Sequence, residues 1–214
     1  VAGASSVAAL GCGTLAALAL AGLTEGYRRW AIGGALAALA LPPFLVTNSW
    51  LDLLGRAGIL RPWVPFDIFS LGGTIWILAL LLWPIPALLV LAELHKLEAS
   101  QLESDPRLRG GALLYHLLLP LTRPALVQSL VITFVLALNN FAVPSILQTK
   151  VFPAELWVNF NTTFDYASSL RLSWPLLVFP VLLLILLRAR PVSWPRRTGP
   201  FGAALFRRQL GGGW

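Results

Sequence analysis

Methionine is absent, cysteine occurs once, and charge is scarce: 12% Asp, Glu, Lys and Arg, against about 25% in ordinary soluble domains. The single cysteine, Cys12, excludes a disulfide within the chain and any cysteine-rich metal site. We read it as a small packing residue. Two histidines, His95 and His116, have no carboxylate at ligand spacing, so no metal site is expected. No Gly-rich phosphate loop with a lysine occurs, so ATP hydrolysis by this chain is not expected, nor is a cofactor. The long apolar runs contain no His and no acid. Ser70, Ser129 and Ser145 have no base near them in sequence, which argues against an intramembrane enzyme.

What the chain has is apolar residues, 57% of its 214, with a mean hydropathy of +0.76. So few charges cannot cover a soluble globule of this size. We expect an all-α, polytopic helix bundle with lipid as its solvent. A span needs about 20 apolar residues. Charge-free runs give five, at about 4–24, 31–51, 69–92, 124–148 and 172–188. The fifth is short and is expected to borrow a turn upstream, with Arg171 snorkelling. The first run lacks the positive n-region of a signal peptide. With no Met at position 1, we expect a piece of a longer chain.

The net charge of +7 would suit nucleic acid only if it formed a basic patch on a soluble face. Here Lys and Arg lie between apolar runs, so no nucleic-acid partner is expected. Arg28 and Arg29, Lys96, Arg107, Arg109 and Arg123, and Arg188, Arg190, Arg196, Arg197, Arg207 and Arg208 fall on one side. Only Arg56, Arg61, Lys150 and Arg171 fall on the other. The positive-inside rule puts the first group in the cytoplasm, with residue 1 outside and the tail, 191–214, inside. An outside start suggests a preceding span. Trp30, Trp50, Trp174 and Trp194 fall near span ends, as interfacial indoles do. Trp83 lies mid-span beside Pro84 and is expected to face other helices. Small-residue runs in the first two spans, such as 35–40, read as close helix packing.

The segment 93–123 is the most informative. Leu94, Leu97 and Leu102, then Leu113, Leu114, Leu117 and Leu118, recur at helical spacing. Asp105-Pro106 and Gly110-Gly111 punctuate it. The pattern predicts two short amphipathic helices joined by a turn. Such a pair either lies on the bilayer as a connector or docks in a cytoplasmic partner.

Within this segment, Glu98-Ala99-Ser100, followed by Leu119-Pro120-Leu121-Thr122-Arg123-Pro124-Ala125-Leu126, resembles the cytoplasmic EAA loop of binding-protein-dependent ABC importer permeases. Leu41-Pro42-Pro43-Phe44 with Trp50-Leu51-Asp52-Leu53-Leu54-Gly55 is similar to a second stretch of their ferric-iron, thiamine and polyamine branches. Asn139-Asn140-Phe141-Ala142-Val143-Pro144-Ser145-Ile146-Leu147 is similar to the segment after the loop in the iron-type branch. The three occur in the family's order, over about residues 5–190. Two departures stand out: Ser104 replaces the family's loop glycine, and Glu98 lies about three residues further from Pro120.

The resemblance implies a permease domain over 1–190, with a tail or linker to a second half over 191–214. The family usually has six helices per half. It implies a coupling loop made of Glu98, Ala99, Ser100, Ser104, Gly110, Gly111, Leu119 and Pro120, seated on a cytoplasmic ABC ATPase. The other implied partners are an extracytoplasmic solute-binding protein, a second permease half or homodimer mate, and lipid. The setting would be a bacterial or archaeal cell membrane, and the solute ferric iron before other small solutes.

Asn139 and Asn140 near Pro144 have two readings: interhelical glue, or the lining of a translocation path, since a broken helix exposes carbonyls to a cavity. Glu155, Asn159, Asn161, Asp165 and Tyr166, with Asp52 and Asp67, read as a rim for a binding protein or as an ordinary solvated loop. A secondary carrier would be expected to show an ionisable residue within a span, and none occurs. A purely structural subunit stays open beside it.

Overall fold

The computed structural model describes residues 1–64, 66–97, 109–153, 156, 159–164, 166–188 and 203–211, and among these all regular structure is helical. The helices are α1 (Ala2–Ala21), α2 (Glu25–Ala40), α3 (Pro43–Leu54), α4 (Leu71–Leu82), α5 (Pro84–Leu94), α6 (Gly111–Leu138), α7 (Ala142–Ile146), α8 (Tyr166–Arg188) and α9 (Ala203–Leu210).

Proline sets several of their limits. Pro42 is the N-cap of α3 and Pro43 its first residue, where a missing N–H costs no ladder bond. The run 31–51, expected as one span, is therefore broken into α2 and α3. Pro84 and Pro86 likewise occupy the first turn of α5, so the run 69–92 is broken at Trp83. Trp83 is half-buried. Glu25 in the first turn of α2 favours that end of the helix dipole and sits 3.6 Å from both Arg28 and Arg29.

α6 departs most from expectation. The segment 111–123, expected as part of a separate cytoplasmic hairpin, runs without a break into the span helix. Leu114–Leu118 forms a π-helical turn just before Pro120, with Leu119 N–H donating to Leu114 O. That wider turn gives room for the Pro120 ring, which would otherwise press on the preceding turn. Pro124 lies inside the helix and deletes one ladder bond, that to Pro120 O.

Two helices, α1 and α6, are long and apolar enough to cross a membrane, and the count reaches four if each broken pair, α2 with α3 and α4 with α5, is one span. α8 does start upstream, at Tyr166, but its apolar stretch is the shorter Ser173–Ile185. It exposes Leu170, Trp174, Leu177, Phe179, Leu184 and Ile185, an apolar surface that belongs against lipid or protein. Hydroxyls in these helices bond to their own backbone: Thr14 to Leu10 O at 2.6 Å, Thr47 to Pro43 O at 2.7 Å and Thr122 to Leu118 O at 2.8 Å. These three hydroxyls are thereby satisfied without water. Cys12 is exposed on α1, which corrects its reading as a packing residue.

The chain folds as two compact units. The first comprises Val1–Ala9, Ala40–Leu82 and the described part of Val131–Pro191; the second Leu10–Leu39, Trp83–Leu130 and the described part of the tail. The core of the first is Leu54, Ile68, Ile77, Leu78, Val143 and Leu147, where α7 packs on α3 and α4. Trp50 meets Trp76 edge-to-face at 6.0 Å beside it. The core of the second is larger, with Leu18, Ala21, Val90, Leu94, Leu113 and Phe206 among its members. The tail, expected as a linker, thus carries a helix whose Phe206 and Leu210 are buried, at the i and i+4 spacing of one helix face.

Candidate functional site

In the first unit the site is the break between α6 and α7. Asn139 ends α6: its backbone N–H and its side-chain Nδ2 both donate to Val135 O, at 3.1 and 2.9 Å. Asn140 precedes Phe141, the N-cap of α7, and its Oδ1 accepts the Val143 N–H at 3.1 Å. Two adjacent asparagines therefore close one helix and tie the backbone at the start of the next. Pro144 lies in the first turn of α7, where it forfeits no ladder bond, and is buried. After α7 the chain turns at Gln148, held at a left-handed φ of 54°. Thr149 N–H donates to Pro144 O at 2.9 Å, and its hydroxyl shares a 2.9 Å hydrogen bond with that of Thr74 on α4.

Both asparagines thus make local backbone bonds, and neither of these bonds joins two spans. Asn139, which is exposed, also lines a cavity of about 490 Å³ with Phe141, Pro153, Leu156, Phe160, Asn161, Leu170, Ser173 and Leu176. Asn140 and Pro144 do not line it. The volume lies in the range of small-ligand sites, about 300–1,000 Å³. Its described lining residues are mostly apolar, with two amides and one hydroxyl among them. Ser173 Oγ donates to Leu170 O at 2.8 Å. Asn139 spends one amide proton on Val135 O, and its Oδ1 and second proton are the groups a solute would meet. Phe160 and Asn161 belong to a π-helical segment, Asn159–Thr163, and Phe160 meets Tyr166 edge-to-face at 5.0 Å.

Of the rim residues, Glu155 and Asp165 lie outside the described residues. No described lining residue is acidic, and among the described residues no group of three His, Cys, Asp or Glu could hold a metal. The arrangement suits a solute with an apolar body and a few hydrogen-bonding groups. Phe141, Phe160 and Ser173 escape sequence reasoning, because nothing in their spacing signals one wall.

In the second unit, Glu98, Ala99, Ser100 and Ser104 lie outside the described residues. Gly110 and Gly111 lead into α6. Gly110 adopts a φ of 53°, natural for glycine, and its N–H donates to Gln209 O of α9 at 2.9 Å. Leu119 is exposed and Pro120 follows the π turn of α6. Leu119 also lines an apolar cavity of about 330 Å³ with Leu18, Val90, Gly111, Tyr115 and Leu126 among others. The described end of the expected coupling segment is thus joined to the tail helix, a pairing the sequence does not signal. Lys96 and Glu93, at the end of α5, form a 2.7 Å ion pair.

No protein-family model matches the chain, and no curated protein matches it. What the fold defines is a helical chain with, among the described residues, two to four helices long and apolar enough to cross a membrane.

Proposed function

We propose that the chain is the membrane-spanning permease subunit of an ATP-driven importer of the ABC class, working by alternating access. The observation that carries the reading is the break at Asn139–Phe141 beside a solute-sized cavity. Interrupted helices that end at a cavity are how many transporters expose hydrogen-bonding backbone to cargo. The three ordered sequence stretches support the same reading. ATP binding by a partner would draw the cytoplasmic segments together and turn the path outward; hydrolysis would return it. Among its described residues the wall offers a small solute two amides and one hydroxyl, from Asn139, Asn161 and Ser173.

Glu98 is the residue proposed to engage the ATPase. Glu98→Lys is expected to abolish uptake and to lower the recovered ATPase at least tenfold, with helix content by circular dichroism unchanged. Full uptake by the variant would remove Glu98 from the coupling role.

A further inference from the structure

A second cavity in the first unit, independent of the transport reading, shares only Asp67 with the rim expected above. It holds about 540 Å³ and is lined by Leu54, Arg56, Arg61, Asp67, Phe69, Leu147 and Gln148. Leu54 and Leu147 are buried core residues and form its apolar floor. The polar groups are two guanidiniums, one carboxylate and one amide.

The backbone beneath them is fixed. Gly55 N–H donates to Leu51 O at 2.8 Å, Gly58 N–H to Gly55 O at 2.9 Å and Leu60 N–H to Leu53 O at 2.9 Å. A Cβ on Gly58 would lie 2.5 Å from Leu53 O, so the turn closes only with glycine there. The side chains are placed as well. Arg61 Nη1 donates to Phe66 O at 2.7 Å, and the Arg56 guanidinium carbon lies 5.7 Å from the centre of the Phe69 ring. Asp67 Oδ1 accepts the Phe69 N–H at 3.1 Å, so the carboxylate serves the turn. A guanidinium has five N–H donors in a planar fork. Both arginines are exposed, so beyond the Arg61 bond to Phe66 O their donors face solvent and are open to a guest.

Gln148 closes α7: its N–H donates to Ser145 O at 3.2 Å and the Thr149 N–H to Pro144 O at 2.9 Å, so its left-handed φ of 54° is that of a helix C-terminus. That turn sets its side-chain amide in the lining of this cavity.

We propose that this cleft binds an oxyanion, a phosphate or carboxylate group, between Arg56 and Arg61, with Gln148 as an amide donor. Two guanidiniums against one carboxylate leave the cleft net positive, and the planar forks match oxyanion geometry. The same chemistry is offered by free inorganic phosphate and by the headgroup of an anionic phospholipid, so the test has an arm for each. In the first, the full chain in detergent is titrated with inorganic phosphate by calorimetry. In the second, the chain in nanodiscs of phosphatidylcholine with or without phosphatidylglycerol is examined for retained lipid by native mass spectrometry.

Saturable binding in either arm, weakened at least tenfold by Arg56→Gln with Arg61→Gln at unchanged helix content, is the expected result. Asp67→Asn keeps Oδ1 for the Phe69 N–H and removes the competing charge. It is expected to tighten binding severalfold, and it provides the reading if the double arginine variant fails to fold. Binding in neither arm, or binding indifferent to all three substitutions, overturns the proposal.

Discussion

Gly13→Val is expected to keep the second unit from packing, while Gly11→Ala, two residues away, leaves it intact. A Cβ on Gly13 would lie 2.5 Å from Trp83 O, 2.5 Å from Pro86 Cγ and 2.8 Å from Ala87 N. Two of those atoms are backbone, so no rotamer change relieves the clash, and the broken start of α5 must move away from α1. Overpacking of this kind costs about 1–3 kcal/mol, and here the upper end applies. On Gly11 an added Cβ meets nothing within 4 Å. Alanine there should gain up to about 1 kcal/mol of helix propensity. Thermal unfolding of the two variants in one detergent measures the difference. Equal midpoints would contradict the close approach of α1 to the start of α5.

The second large effect is at Phe206. Its side chain is fully buried in the second unit, in a core that includes Leu18, Leu94 and Leu113. Truncating a buried Phe to Ala costs about 3–5 kcal/mol. α9 spans only Ala203–Leu210, well short of the about 12–15 residues at which an isolated helix becomes even marginal, so tertiary contacts hold it, the burial of Phe206 foremost. Phe206→Ala is therefore expected to release α9 and with it the Gly110–Gln209 bond. Hydrogen exchange over 203–211 should rise by at least tenfold, while Arg208→Ala, at an exposed position, leaves it unchanged. Unaltered exchange in Phe206→Ala would show that other contacts hold the helix.

These two sites also mark what the sequence could and could not disclose. Composition, hydropathy and the spacing of charges announce apolar helices, and among the described residues two to four of them are long and apolar enough to cross a membrane; the run 124–148 is divided at Asn139–Phe141 between α6 and α7. The small-residue packing expected for the first two spans is realised at Gly13 of α1 but not over 35–40 of α2, where Ala35 alone is buried. The breaks were less legible. Pro42-Pro43 and Pro84 are visible as prolines, but whether neighbours carry a helix through a proline is a tertiary matter: α6 runs through Pro124, and α8 through Pro175 and Pro180.

At the site, Asn139, Asn140 and Pro144 stand out as polar or helix-breaking residues in an apolar run. Their roles as helix end, tie at the next helix start and first-turn residue follow from backbone geometry that residue identity does not fix. The docking of Phe206 joins positions almost a hundred residues apart, at Gly110 and Gln209, for which one sequence offers no pattern. Cys12 shows the converse: small and apolar in its preferences, it nonetheless lies exposed.

The central claim is that the segment holding Glu98 delivers the work of a separate ATPase. The most direct test is a co-purification: the chain is expressed with its genomic neighbours, extracted in mild detergent and examined for an associated ATPase subunit. The experiment is then repeated with residues 98–105 replaced by a Gly/Ser stretch. An ATPase retained by the native segment and lost with the replacement is the predicted result. No ATPase in either preparation, or equal retention in both, would contradict the permease reading and turn the segment into a surface connector.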